Sequence, residues 1–163
     1  MSQDLLARGS VRRVQAALAA AGAAAPIIQL DQTARSAADA ASALDCPLGA
    51  IVKSLVFRVG DRPVMALVAG DKRCDTAALP GVLGLAGTAA RADADFVRAA
   101  TGFSIGGVAP LGHPAPLAVA LDTSLGRFAV IYAAAGHPHC VFATTAAELG
   151  ALAGAVESDL IAI

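Results

Sequence analysis

The amino-acid sequence predicts an α+β fold whose sheet is mixed and mostly antiparallel. The chain has 163 residues, which is enough for one domain with a substantial core. Its short apolar strands are separated by turns and irregular loops as well as by helices, which favours antiparallel pairing over a doubly wound sheet. No glycine-rich nucleotide-binding motif is present. We therefore expect residues 1–163 to form a single α+β domain.

The first half of the sequence predicts two helices, a short strand and a β-hairpin. Each helix follows a serine that can accept a hydrogen bond from the first turn, and the hairpin surrounds the turn signal "GDRP". The predicted elements are a helix from Ser10 to Gly22, a strand Ile27–Leu30, a helix from Ser36 to Leu44, and strands Ile51–Val59 and Val64–Ala69.

The second half predicts three more helices and four strands, separated by a loop rich in glycine and proline. The predicted helices begin near Asp75 or Thr76, at Asp93, and at Thr144 or Thr145, where Glu148 completes a capping-box pattern. The stretch "TGFSIGGVAPLGHPAP" cannot be regular throughout. The predicted strands are Thr88–Arg91, Leu117–Leu121, Phe128–Tyr132 and Cys140–Ala143.

Composition excludes several classes of protein. The chain is 56% hydrophobic but only 4% aromatic, and no apolar run reaches the roughly 20 residues of a membrane-spanning helix. We expect a cytoplasmic protein with no membrane partner. The net charge of −1 argues against a broad nucleic-acid surface, although a small basic patch fits. Arg58, Lys72 and Arg73 are candidates for phosphate contacts, although ordinary solvated surface charge is the favoured explanation for each residue taken individually.

Lys53 is the first candidate functional residue, because it interrupts the apolar run "AIVKSLVF". A charge within a core strand is costly unless something compensates for it. The pattern fits a lysine at a strand edge that reaches solvent, and it also fits a lysine aimed into a cleft to meet a phosphate or carboxylate.

Two glycine-containing turns are the other candidates. In "GGVAP", Gly106 and Gly107 would let the backbone approach a ligand, or they simply make a tight connection that Pro110 stiffens. In "GHPHC", His137 and His139 would need a third ligand such as His113 to hold a metal, and none lies nearby in the sequence. We expect no metal and no cofactor. Cys46, Cys74 and Cys140 are widely spaced, which favours free thiols.

These segments, taken in order, resemble the YbaK/prolyl-tRNA-synthetase-associated editing domain family. The resemblance rests on "AIVKSLVF", "GFSIGGVAPLG", a strand ending in Asp122, and "AAGHPH" leading into "TTAAEL". It implies a compact α+β fold with a barrel-like sheet and an aminoacyl-tRNA deacylase that acts in trans on mischarged tRNA. The implied substrate is tRNA for proline carrying alanine, cysteine or another small residue, and prolyl-tRNA synthetase is a candidate partner.

The resemblance also implies a set of site residues. Lys53, Gly106, Gly107 and His137 correspond to catalytic positions, and Ser54, Ala109, Pro110 and Asp122 correspond to substrate-binding positions. Ser54 stands where we expect threonine or asparagine, and Ala109 where serine or threonine is usual. These departures leave the identity of the aminoacyl group open.

The implied chemistry is hydrolysis of an activated ester at the 3′ end of tRNA. Lys53 would contact the terminal phosphate or the carbonyl side of the substrate, and main-chain N–H groups at Gly106 and Gly107 would hold the oxyanion. His137 and Asp122 would orient the aminoacyl group, and a ribose hydroxyl would orient the water. Two alternatives are a non-catalytic module of the same fold that binds aminoacyl-tRNA or an amino-acid-like ligand, and a metal-dependent hydrolase that uses the three histidines.

Overall fold

A computed structural model of the chain describes residues 4–23, 25–31, 34 and 36–163. Helices and strands are numbered separately in chain order. The helices of the described residues are α1 (Gly9–Ala20), α2 (Ala37–Leu44), α3 (Leu79–Val82), α4 (Ala94–Thr101) and α5 (Ala146–Ala153). The strands are β1 (Ile27–Gln29), β2 (Val52–Val59), β3 (Arg62–Ala69), β4 (Ala89–Arg91), β5 (Ala118–Asp122), β6 (Ile131–His137), β7 (Cys140–Thr144) and β8 (Val156–Ser158).

The described strands form two sheets that meet at one point. One sheet has the order β4-β2-β3-β5-β8 and the other has the order β1-β7-β6. The β3–β5 and β5–β8 pairs are parallel, and the other described pairs are antiparallel. A parallel bridge between Ile51 and Tyr132 connects the sheets. The predicted α+β class with a mixed, mostly antiparallel sheet is confirmed.

The hairpin of β2 and β3 is the centre of the larger sheet. Its turn is shorter than the signal "GDRP" suggested, because only Gly60 and Asp61 lie outside the strands, and Val59 pairs directly with Arg62. Gly60 has φ of +63°, a left-handed conformation that glycine adopts without strain. Every residue from 64 to 69 is fully buried, since both faces of β3 are covered.

Apolar residues on the two faces of the larger sheet contribute to different clusters. The main core lies between the two sheets and includes Val52, Met65 and Leu67 together with residues of α1 and α4. The second cluster lies on the opposite face, where Leu79 of α3 and Ile161 pack. Side chains that alternate along β2 therefore lie on opposite faces of the sheet.

The predicted helix starts are mostly confirmed. Ser36, Asp93 and Thr145 each accept a hydrogen bond from the main-chain N–H three residues later. Two starts differ from prediction. Helix α1 begins at Gly9, one residue before Ser10, and its N-cap position is Arg8. Helix α3 begins at Leu79, after Ala78, and so starts later than predicted near Asp75 or Thr76. The Glu148 carboxylate accepts a hydrogen bond from the Thr144 hydroxyl.

The second-half strands differ from prediction in two places. β6 begins three residues later than predicted and continues to His137, and β8 was not predicted. Alanine has low strand propensity, so "AAAG" gives no strand signal. Ala133 and Ala135 are nonetheless fully buried, and a Cβ at Gly136 would come within 2.5 Å of the Ser10 carbonyl oxygen. Small residues extend β6 because α1 packs closely against it.

Candidate functional site

A cleft of about 400 Å³ opens along one edge of β2, between the part of the strand that is bridged to β6 and the part that pairs with β4. Ile51 pairs with Tyr132 at one end of this gap, and Phe57 pairs with Arg91 of β4 at the other. One wall comes from α2 and β6, and another from the loop that contains Gly106. The described lining residues include Ala37, Ala40, Lys53, Ser54, Leu55, Ile105, Gly106, Val108, Tyr132, Ala134, Pro138 and Val141.

Lys53 lines this cleft, and its side chain has a defined hydrogen-bond partner. Its neighbours Leu55 and Phe57, two and four residues along β2, pack in the second cluster, so Lys53 lies on that outer face. The Lys53 ammonium donates a hydrogen bond to the main-chain carbonyl of Lys72. The side chain is half-buried. The ammonium is therefore neither free in solvent nor paired with a carboxylate among the described residues.

Ser54 also lines the cleft, from the opposite face of β2. Its Oγ is buried and has no hydrogen-bond partner within the described part of the chain. The same residue lines a smaller apolar cavity of about 190 Å³ that continues past Gly106 towards Arg91. Because buried hydroxyls are normally hydrogen-bonded, this unpartnered one marks a place where a ligand can bind.

The two glycines of the loop do different things. Gly106 lines both cavities with φ of +97°. Gly107 packs against the backbone of His137, where an added Cβ would lie 2.8 Å from Cα and 2.9 Å from N. The N–H of Gly107 donates to the Ser104 carbonyl at 3.0 Å. Of the two N–H groups, only that of Gly106 lacks an acceptor among the described residues.

His137 is not among the described lining residues of the cleft, and its main chain packs against Gly107. Its Nδ1 accepts a hydrogen bond from the His139 N–H at 3.1 Å, which leaves the proton of the neutral ring on Nε2. Burial, followed by the positive charge of Arg8 and by His139, lowers the pKa of His137. The ring is therefore mainly neutral at pH 7.

Ala109 and Pro110 are buried and lie outside the described lining of the cleft. The Ala109 carbonyl accepts a hydrogen bond from Nε2 of His113 at 2.8 Å. Pro110 instead lines a separate cavity of about 430 Å³ near the end of α5. The structure does not place either residue where the resemblance implied substrate contact, because the loop turns into the core after Val108.

Asp122 is likewise not brought to the cleft. It is 1% exposed, and its carboxylate accepts hydrogen bonds from the main-chain N–H of Ala69 and from both the N–H and the hydroxyl of Ser124. These bonds join the end of β3 to the end of β5 and start the 3-10 turn Thr123–Arg127. Its position in the structure is that of a buried cap, which differs from the substrate contact expected from the sequence.

The described residues include no group of three histidine, cysteine or acidic side chains placed to hold a metal ion. His137 and His139 lie in edge-to-face contact, whereas His113 packs against Phe103. The three cysteines are free thiols. Burial, helped by Asp75, raises the pKa of Cys74 to about 11. Within the described ranges, no helix combines the length and apolar character needed to cross a membrane.

Sequence reasoning missed the apolar walls of the cleft. Tyr132 and Ile105 lie on opposite sides of it, and α2 contributes Ala37 and Ala40. Ile105 is 60% exposed, although it is a large apolar residue. Alanine and isoleucine carry no chemical signature in a sequence, so only the convergence of α2, β6 and the Gly106 loop reveals their role.

Comparisons with known proteins identify a matching family model and a related sequence. Residues 31–152 match the model of a family described as the aminoacyl-tRNA editing domain. The uncharacterized protein YwhH of Bacillus subtilis (strain 168) is 31% identical over 124 residues, covering 76% of this chain and 78% of YwhH.

Solved structures are similar over nearly the whole chain. A proposed trans-editing enzyme for prolyl tRNA synthetase is 39% identical, with a TM-score of 0.88 and coverage of 94% of this chain and 98% of that one. The hypothetical protein APE2540 is 24% identical, with a TM-score of 0.82 and coverage of 93% and 99%, and it shows likeness of fold alone.

Proposed function

Because the chain belongs to the aminoacyl-tRNA editing domain family, we propose that it is a deacylase that hydrolyses the ester of mischarged tRNA in trans. The observation that carries the proposal is the cleft itself. Its lining brings together Lys53, the unpartnered Ser54 hydroxyl and the Gly106 backbone, with Ser36, Tyr132 and mostly apolar side chains around them. Such a site combines a cation, main-chain groups and a dry wall, as an ester-binding cleft requires.

The proposed mechanism is assisted by the substrate. The described lining contains no carboxylate and no imidazole, so no side chain there is suited to act as a general base at neutral pH. An aminoacyl ester is activated, and a ribose hydroxyl of the terminal adenosine would orient the attacking water. Lys53 would contact the terminal phosphate or the carbonyl side of the ester, and the Gly106 N–H would stabilise the oxyanion.

The proposed substrate is tRNA for proline that carries alanine, cysteine or another small residue. The similarity to a proposed trans-editing enzyme for prolyl tRNA synthetase supports this choice, and it makes that synthetase a candidate partner. Apolar walls discriminate poorly between side chains that differ by one methylene group, so we expect some activity on several small aminoacyl groups. We place the activity in the cytoplasm, where tRNA is charged, and within a single domain.

The absence of a base among the described lining residues also favours a second candidate function. A module that binds aminoacyl-tRNA without hydrolysing it would need the same cleft and no base. The two candidates make opposite predictions for the ester, because a deacylase shortens its lifetime and a binding module lengthens it.

The test uses tRNA for proline charged with alanine, serine, cysteine or proline, with and without a chelator. Multiple turnovers on at least one non-proline ester, unchanged by the chelator, would support the deacylase. Slower hydrolysis than in buffer would support the binding module. Turnover that disappears with the chelator and returns with added metal would instead support the metal-dependent hydrolase.

A further inference from the structure

The main chain of β2 presents its hydrogen-bonding groups to the cleft at a defined position. Because the hairpin turn contains only Gly60 and Asp61, Val59 and Arg62 must hydrogen-bond to each other. Every second residue back along β2 then bonds to β3 in the same way. The N–H and C=O groups of Ser54 and Val56 therefore point to the opposite edge of the strand.

This opposite edge has no partner strand where it passes the cleft. The bridge at Ile51 ends the pairing with β6, and pairing with β4 begins only at Phe57. The loop that contains Gly106 faces this stretch, yet among the described residues it makes no hydrogen bond to the main chain of Ser54 or Val56. Between the bridge at Ile51 and the pairing at Phe57, the edge therefore has room for about one additional residue pair.

Ser54 therefore combines an N–H and a C=O at an edge where no described strand residue pairs with it and a buried Oγ that has no hydrogen-bond partner in the described part of the chain. They lie among Leu55, Ile105 and Val108 in a largely apolar lining. Buried main-chain groups are nearly always hydrogen-bonded, and leaving one unsatisfied costs about 1–3 kcal/mol. This concentration at one residue indicates a ligand with a matching donor and acceptor.

We propose that Ser54 pairs with the α-aminoacyl group as if that group were one residue of an added antiparallel strand. The Ser54 carbonyl accepts from the α-ammonium of the substrate, and the Ser54 N–H donates to the ester carbonyl. An aminoacyl ester has the same N–Cα–C=O sequence of atoms as a peptide residue, so both bonds form at once, as in peptide binding at a sheet edge. This proposal rests on the proposed function and specifies how the substrate is held.

The pairing has a consequence for specificity. It recognises atoms that all aminoacyl groups share, so it gives affinity and orientation without identifying the side chain. The choice between aminoacyl groups is then made by the apolar walls, including Ile105 and Val108. A substrate that lacks the α-ammonium loses one of the two bonds, and because this bond involves a charge we expect about 10- to 100-fold weaker binding.

The first experiment measures amide hydrogen exchange in the full-length protein with an analogue that cannot be hydrolysed. The probe is 3′-deoxy-3′-(L-alanylamino)adenosine, and its propionyl counterpart, in which a hydrogen replaces the ammonium so that no donor remains, is the matched control. At saturation we expect exchange of the Ser54 N–H to slow about tenfold or more. The Arg58 N–H is the internal reference, because Arg58 already pairs with Ala90. Unchanged Ser54 exchange at saturation, equal binding of the two compounds, or no binding would overturn the pairing.

A second experiment removes the donor from the protein. Ser54→Pro deletes an N–H that makes no bond to β3, so the β2–β3 ladder keeps its hydrogen bonds, and proline is tolerated at such edge positions. We expect the variant to bind the alanyl analogue about tenfold more weakly than Ser54→Ala, which loses the same hydroxyl but keeps the N–H. Wild-type affinity in a folded Ser54→Pro protein would contradict the pairing, and if this variant does not fold, the exchange measurement still decides.

The outcomes distinguish the pairing from the deacylase function. Protection of Ser54 by the analogue in a protein that does not hydrolyse any charged tRNA would leave the pairing in place and overturn the deacylase. Turnover of alanyl-tRNA without protection of Ser54 would do the reverse.

Discussion

The side-chain ammonium of Lys53 donates a hydrogen bond to the main-chain carbonyl of Lys72. The turn that carries this carbonyl is itself fixed, because the Lys72 N–H donates to the Ala69 carbonyl at 2.9 Å. The Ala69 N–H in turn donates to the buried Asp122 carboxylate at 3.1 Å. Three hydrogen bonds, joined through the backbones of Ala69 and Lys72, thus link Asp122 to the Lys53 ammonium, although Asp122 does not line the cleft.

Lys53→Ala is expected to lower the rate of deacylation by about 10²- to 10³-fold, the usual effect of removing a group that stabilises developing charge. The fold should persist, because Lys53 is only half-buried and its partner carbonyl can bond to water. Single-turnover hydrolysis of charged tRNA and thermal unfolding measure the two effects. Arg62→Ala is the matched control, since Arg62 is exposed beside the hairpin turn. Wild-type hydrolysis by Lys53→Ala would remove this lysine from the mechanism.

Asp122→Ala is expected to reduce the free energy of unfolding by about 2–4 kcal/mol. The substitution leaves the Ala69 N–H and the Ser124 groups without their charged acceptor, and bonds to charged groups contribute about 1.5–3 kcal/mol each. Urea unfolding at pH 7 measures the loss. Asp61→Ala provides a comparison, because Asp61 is exposed and its ion pair with Arg58 is at the surface. Equal stability of the two variants would show that the Asp122 bonds contribute little.

Gly107→Ala is expected to destabilise the protein by about 1–3 kcal/mol and to impair binding in the cleft. The added methyl would overlap the backbone of His137, which cannot move without disturbing β6. Gly81→Ala is the control, because no atom lies within 4 Å of its Cβ position and Gly81 is within α3. The melting temperatures of the two variants and their affinities for the alanyl analogue test this. A Gly107→Ala protein as stable as Gly81→Ala would contradict the close packing.

Stability is expected to fall as the pH is lowered through about 6.5 and below. Burial lowers the pKa of His113 from 6.5 in the folded state, so the unfolded chain binds more protons in the window between the lowered pKa and 6.5. The contribution is complete above 6.5 and is lost as the pH falls through that window. Urea unfolding at several pH values from 7.5 to 5 measures the slope. His113→Gln, which keeps a donor near Ala109, should make it shallower, and an unchanged slope would exclude His113 as a source.

The sequence by itself determined the local structure and the main chemical candidate. Serine, aspartate and threonine before apolar runs set the starts of α2, α4 and α5, because each can accept a hydrogen bond from the first turn. The turn signal "GDRP" between two apolar runs predicted the central hairpin, and Lys53 was a candidate because a charge within such a strand is costly.

Only the tertiary structure decided which candidates share a site. Lys53, Ser54 and Gly106 meet in the cleft, whereas Asp122 and Pro110 are buried elsewhere. It also showed that the edge of β2 is open at Ser54. The physical reason is that helix caps and turns depend on interactions over a few residues, whereas a cleft depends on which distant strands pair and where that pairing stops.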